Sequence, residues 1–110
     1  MATAHLKITD AEDKFSLPLV HEMRFVSTGH IHGAPVPGIR DGDRGLLPEP
    51  YHRAALDAVY AVYHRETPIL WKASDGKWYV PMHVYSGTTS AHRNKMMRAL
   101  GIENAEIVEI

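Results

Sequence analysis

Asp75-Gly76, set between two apolar runs, constrains this chain more than any other feature. Thr67–Ala73 and Trp78–Met82 alternate about it, and an Asp-Gly pair so flanked is the strongest short-range signal of a β-hairpin. A two-residue turn opposes Ser74 to Lys77, Ala73 to Trp78, Trp71 to Val80 and Ile69 to Met82. Ile69, Trp71, Ala73, Trp78, Val80 and Met82 then share one face, and Leu70, Lys72, Tyr79, Pro81 and His83 the other. Trp71 and Trp78, paired across the hairpin, read as core.

Other segments are read by period and punctuation. Ala4–Ile8 is predicted as a short strand, followed by a charged turn at Asp10–Lys14. Leu17–Ser27 alternates with a period of two and is predicted as a second strand. Gly29–Pro50 holds five glycines and four prolines and reads as one long loop, with a short strand near Val36–Ile39. Leu56, Val59, Tyr60 and Tyr63 fall at helical spacing, so Tyr51–Glu66 is predicted as a helix behind Pro50. Thr89 or Ser90 caps a second helix that runs to Leu100, with Met96, Met97 and Leu100 inward and Gly101 as a left-handed stop. Glu106–Ile110 closes the chain as a strand. The order β-β-long loop-α-β-β-α-β defines an α+β fold, an antiparallel sheet with two helices packed on it. With 110 residues the chain is one domain, residues 1–110.

Composition narrows the function classes. Twelve basic against thirteen acidic residues leave a formal charge of −1, which argues against a nucleic-acid-coating role and against attraction to a membrane. The absence of cysteine excludes disulfides, thiolate catalysis and Cys-type zinc sites. Met1–Lys14 carries three acids and lacks the pattern of a secretion signal, so a cytoplasmic location is expected. No apolar run approaches the roughly 20 residues of a membrane helix.

Three constellations could carry chemistry. Ser86-Gly87-Thr88-Thr89-Ser90-Ala91-His92, with Lys95 one turn on, places hydroxyls and free N–H groups at a helix start, where an anion such as phosphate is attracted. The plainer reading, preferred here, is a helix cap. His30 and His32, two apart in an extended segment, could chelate a metal with Asp41 or Asp43, but the spacing is common in a chain with eight histidines, and loop histidines are preferred. Convergence of His30, His32, His83 and His92 would supply the acid and base of a small phosphodiesterase. Asp41-Gly42-Asp43 resembles a calcium loop only at its start. Lys95 and Arg98 read as a solvated face. No catalytic residue, metal or cofactor is assigned.

The Thr67-Pro68-Ile69 strand, the turn after it, and the Tyr85-Ser86-x-Thr88-Thr89-Ser90-x-His92 run together resemble a family of short phage-encoded and bacterial proteins of unknown function. The resemblance spans roughly residues 60–100 and implies a shared local structure. It motivates a first expectation: a small, non-enzymatic phage accessory protein that binds a host or phage macromolecule in the host cytoplasm. Its interaction loop would present His30, His32, Arg40 and Arg44, and a protein partner or self-association fits such a loop. The rival expectation is a phosphate- or nucleotide-directed binder, or a histidine-dependent phosphodiesterase, built on residues 86–92.

Overall fold

Among the described residues, seven strands in sequence order across one sheet form the frame on which every other element is hung. The computed structural model describes residues 3–110, so the first two residues of the 1–110 domain lie outside the described residues. The strands are β1 (Ala4–Leu6), β2 (Phe25–Ser27), β3 (Ile31–Pro35), β4 (Ala58–His64), β5 (Thr67–Ala73), β6 (Trp78–Val80) and β7 (Ile107–Glu109). The helices are α1 (Glu12–Val20), α2 (His52–Ala55) and α3 (Gly87–Ile102), with a 3₁₀ turn at Glu49–Tyr51. The fold is α+β. Its sheet is antiparallel from β2 to β6 and parallel at both edges, where β1 pairs with β2 and β6 with β7.

Parallel neighbours need a crossover, and each edge has one. Helix α1 carries the chain from β1 to β2, and α3 carries it from β6 to β7. Both cover one face of the sheet. Phe15 and Leu19 from α1 and Met96, Ala99 and Leu100 from α3 bury against Phe25, Tyr60, Val62, Leu70, Trp78 and Val80. The opposite face is covered by residues 36–57, where Ile39, Leu47 and Ala55 pack on Ala58, Ala61 and Trp71. The domain therefore has two cores separated by one sheet.

That burial on both faces explains the largest departure from the sequence reading. Residues 51–66 are not a helix: four residues form α2, and Ala58–His64 is the central strand β4. Leu56, Val59, Tyr60 and Tyr63 fit a helical stripe, but a strand covered on both sides loses its alternation, and the β-branched and aromatic content then decides. Tyr60 and Val62 face the helices while Ala61 and Tyr63 face the loop layer.

The Leu17–Ser27 strand is likewise corrected. Its first part belongs to α1, whose first turn is the presumed charged turn, and only Phe25–Ser27 is extended. Glu12 and Asp13 suit the positive end of that helix. The long loop is interrupted by β3 at Ile31–Pro35, not by a strand at Val36–Ile39. Gly33 is the reason a strand fits there. A Cβ on it would lie 2.4 Å from Phe25 Cε1 and 2.6 Å from the Tyr60 hydroxyl, which donates to Met23 O at 2.6 Å.

The hairpin exists, one residue out of the expected register. Trp71 pairs with Tyr79 and Lys72 with Trp78, and Ala73 N–H donates to Lys77 O. The connection is thus Ser74-Asp75-Gly76, in which Gly76 alone has a positive φ, of 86°. Asp75 settles it by accepting from Lys77 N–H at 2.9 Å and the Tyr79 hydroxyl at 2.6 Å. One residue of slip moves alternate side chains to opposite faces, so Trp71 and Trp78 lie in different cores.

Helix α3 begins earlier than expected. Ser86, not Thr89 or Ser90, is the cap, and its Oγ accepts from Thr89 N–H at 3.3 Å. Gly101 lies within the helix, and Asn104 takes the left-handed position at φ 56°. Among the described residues no helix is long and apolar enough to cross a membrane.

Candidate functional site

The carboxyl ends of β1, β2, β4, β6 and β7 share one end of the sheet, and both strand-to-helix junctions open there. Open α/β sheets bind ligands at such ends because loops and helix N-termini converge on them. Three connections meet at this end. The β2–β3 turn offers Gly29 and His30, the β4–β5 turn is Arg65-Glu66, and residues 81–86 lead from β6 into α3. They are tied together: Arg65 N–H donates to His30 O at 2.8 Å, and Leu46 N–H donates to Thr67 Oγ1 at 2.9 Å. Gly45 seats the 40–47 loop on the turn, since a Cβ there would come within 2.4 Å of Glu66 O.

Between these segments lies an open cleft of about 600 Å³, bordered by Leu46, His64, Arg65, Tyr85, Ser86 and Thr89. His64, the last residue of β4, has its Nδ1 2.8 Å from Thr89 Oγ1, and both residues are buried. Thr89 Oγ1 in turn lies 3.0 Å from Ser86 Oγ. The imidazole of His92, one turn into α3, meets His64 edge-on with ring centroids 5.1 Å apart. Gly29 makes room for it, as a Cβ at that position would sit 3.1 Å from His92 Cε1.

Electrostatics keep both rings neutral at pH 7. His64 titrates below the ordinary histidine range, first because it is buried, then because His92, Arg65 and His30 oppose a further positive charge. His92 is lowered by burial and then by Lys95. The Tyr85 hydroxyl is pushed up to about 12, mainly by burial, and is a neutral donor without a partner among the described residues.

The residues singled out at 86–92 do not act as one set. Ser86 and Thr89 border the cleft, His92 stands behind His64, and the Ser90 backbone N–H is the first link of the helix ladder, donating to Ser86 O. Thr88 is exposed, and a Cβ on Gly87 would meet open space. Lys95 is not a free cation there. Its Nζ donates to Ile8 O at 2.6 Å and Asp10 O at 2.5 Å, closing the β1–α1 loop, and lies over the Phe15 ring. Arg98, beside it on the helix, pairs with Glu12 at 2.7 Å.

The four histidines do not converge. His30 and His92 approach His64, whereas His32 stacks on Tyr63 at 4.9 Å on the opposite face of the sheet, and His83 meets Tyr85 edge-on. His30 and His32 also part because His30 has a turn conformation, φ 62°. Among the described residues no three His, Asp or Glu side chains gather as a metal centre. Arg40 is exposed, and Arg44 reaches Asp41 at 4.0 Å within its own loop.

Two residues that organise the site escaped the sequence reading. The helical reading of residues 51–66 puts His64 off the apolar stripe; its only signal is a histidine closing a valine- and tyrosine-rich run before Arg65-Glu66. Arg93 is buried under the β6–α3 connection and donates to Pro81 O at 3.2 Å and His83 O at 2.6 Å, fixing the segment that delivers Tyr85 and Ser86. No protein-family model, curated protein or solved structure matches the chain.

Proposed function

We propose that the chain is a small phosphate-directed binding protein whose ligand enters the cleft at the start of α3. The observation that carries this is the meeting of His64 and His92 beside Thr89 and Ser86, at an open helix N-terminus. By their position the N–H groups of Gly87 and Thr88 lack intrahelical acceptors, and they point with the helix dipole toward an incoming anion. The imidazole of His64 lines the cleft without demanding a counter-charge, and exposed Arg65 at the mouth offers a planar fork for phosphate oxygens.

Thermal unfolding with inorganic phosphate and with nucleoside monophosphates tests this. Ligand at 100 times its dissociation constant stabilises the fold by about 2.7 kcal/mol, enough for a shift of several degrees. His64→Gln and Arg65→Gln are expected to reduce that shift, and Ser90→Ala to leave it intact. An unchanged melting temperature at high millimolar concentrations of every phosphate tried would refute the proposal.

A second reading keeps the small phage accessory protein that binds a host or phage macromolecule in the cytoplasm. It draws on Leu46, 80% exposed at the rim of the same cleft, and on Val84, 84% exposed in the segment that leads from β6 into α3. Uncovered apolar side chains beside a cleft suit a protein partner. Retention of a specific partner by the native chain, lost in Leu46→Asp and Val84→Asp, would favour it.

A further inference from the structure

We propose that Ser86 is a nucleophile toward phosphate esters, with Thr89 passing its proton to His64; this rests on the phosphate-directed reading of the same cleft. Capping alone needs only Ser86 Oγ on the Thr89 N–H. It does not need the Thr89 hydroxyl turned onto an imidazole that arrives from a different strand. Yet Ser86 Oγ, Thr89 Oγ1 and His64 Nδ1 form an unbroken line with steps of 3.0 and 2.8 Å. The line starts at an exposed residue bordering the cleft and ends at a buried base. Each hydroxyl both donates and accepts, so one proton can be handed along it.

A serine hydroxyl is a weak nucleophile until a neighbouring base takes its proton. His64 is suited to that task because its surroundings keep it neutral. The Gly87 and Thr88 N–H groups, free at the helix start, can stabilise charge that builds on the phosphoryl oxygens. Arg93 acts as a positioning residue by holding the loop that carries Tyr85 and Ser86.

The step balances without a co-reactant other than water. The bond from Ser86 Oγ to phosphorus forms, and the bond from phosphorus to the leaving alcohol's oxygen breaks. The Ser86 proton moves to Thr89 as the Thr89 proton moves to His64 Nδ1, while the leaving oxygen, opposite Ser86 across phosphorus, takes its proton from a cleft water and leaves that water as hydroxide. That hydroxide then attacks the phosphoserine from the same side, the bond from Ser86 Oγ to phosphorus breaks, and the proton returns from His64 through Thr89 to Ser86 as phosphate leaves. The sum is ester plus water giving alcohol plus phosphate.

The test is reaction of the full chain with a fluorophosphonate reporter, with the adduct located by tandem mass spectrometry, alongside p-nitrophenol release from p-nitrophenyl phosphate. The expected result is one adduct, on Ser86 and not on exposed Ser74, suppressed by inorganic phosphate and accompanied by p-nitrophenol release. His64→Gln and Thr89→Val, compared with wild type only where circular dichroism shows the fold intact, should slow labelling on the order of a hundredfold, as loss of a general base does. No adduct on Ser86 of the native chain, or equal rates in folded variants, would overturn the proposal. Phosphate that stabilises the protein without any labelling of Ser86 would overturn the nucleophile and leave the binding reading standing; failure of both would remove both.

Discussion

Thr89 Oγ1 and His64 Nδ1 lie 2.8 Å apart, joining the first turn of α3 to the last residue of β4 across 25 positions of sequence. The bond fixes the helix start against the centre of the sheet, and it places a base and two hydroxyls at one cleft, with a second imidazole packed behind the base. Thr89→Val keeps the shape and removes the hydroxyl, leaving a buried imidazole nitrogen unpaired. It should cost about 1–3 kcal/mol in urea unfolding. A double-mutant cycle with His64→Gln should show coupling between the two sites; strict additivity would mean that the bond contributes nothing.

Ser86→Ala should cost about 1 kcal/mol through loss of the cap, while Ser90→Ala should be nearly neutral. The contrast follows from the helix beginning at Gly87 and not at Ala91. Equal losses at both positions in chemical denaturation would contradict the cap geometry.

Stability should fall as the solution is acidified, and the sign follows from linkage. His64 and His92 titrate below their ordinary value of 6.5 in the folded protein, so the unfolded chain takes up protons first. Their contribution is complete above 6.5 and is lost as the pH falls through that value toward the lowered ones. The groups bearing on the pair are Arg65, His30 and Lys95, all opposing protonation. His32, lowered by burial on the other face, adds to the slope. Denaturation midpoints measured between about pH 8 and pH 5 should therefore decline, and the decline should flatten in His64→Gln.

Two glycines separate strain from crowding. Gly76 has φ 86° with open space where a Cβ would go, so Gly76→Val should cost only backbone strain, about 1–3 kcal/mol. Gly33 has no positive φ, but a Cβ would press on Phe25 and Tyr60, so Gly33→Ala should cost at least about 1–3 kcal/mol through overpacking. Asparagine, which tolerates the left-handed region, should recover much of the loss at position 76 and none at position 33. Melting temperatures of the four variants decide this.

Local chemistry was legible wherever it depended on near neighbours in sequence. The Asp75-Gly76 connection, a helix reaching Leu100 with Met96 and Leu100 inward though not its true ends, and the closing β-branched strand all follow from turn residues, periodicity and propensity. The sequence alone also determined that the fold is α+β. The hairpin's register was not legible, because two- and three-residue connections both suit Asp-Gly, and only the Asp75 contacts with Lys77 and Tyr79 select between them.

Tertiary structure decided the rest. Burial on both faces made Ala58–His64 a strand in spite of its helical spacing, and Gly33 became a strand residue because two aromatic side chains needed its missing Cβ. The site was decided the same way. Ser86, Thr89 and His92 could be named as neighbours along one helix, but their partner His64 comes from the centre of the sheet. No local pattern encodes that pairing. It arises because the crossover through α3 packs onto the face where β4 ends, a consequence of strand order and burial.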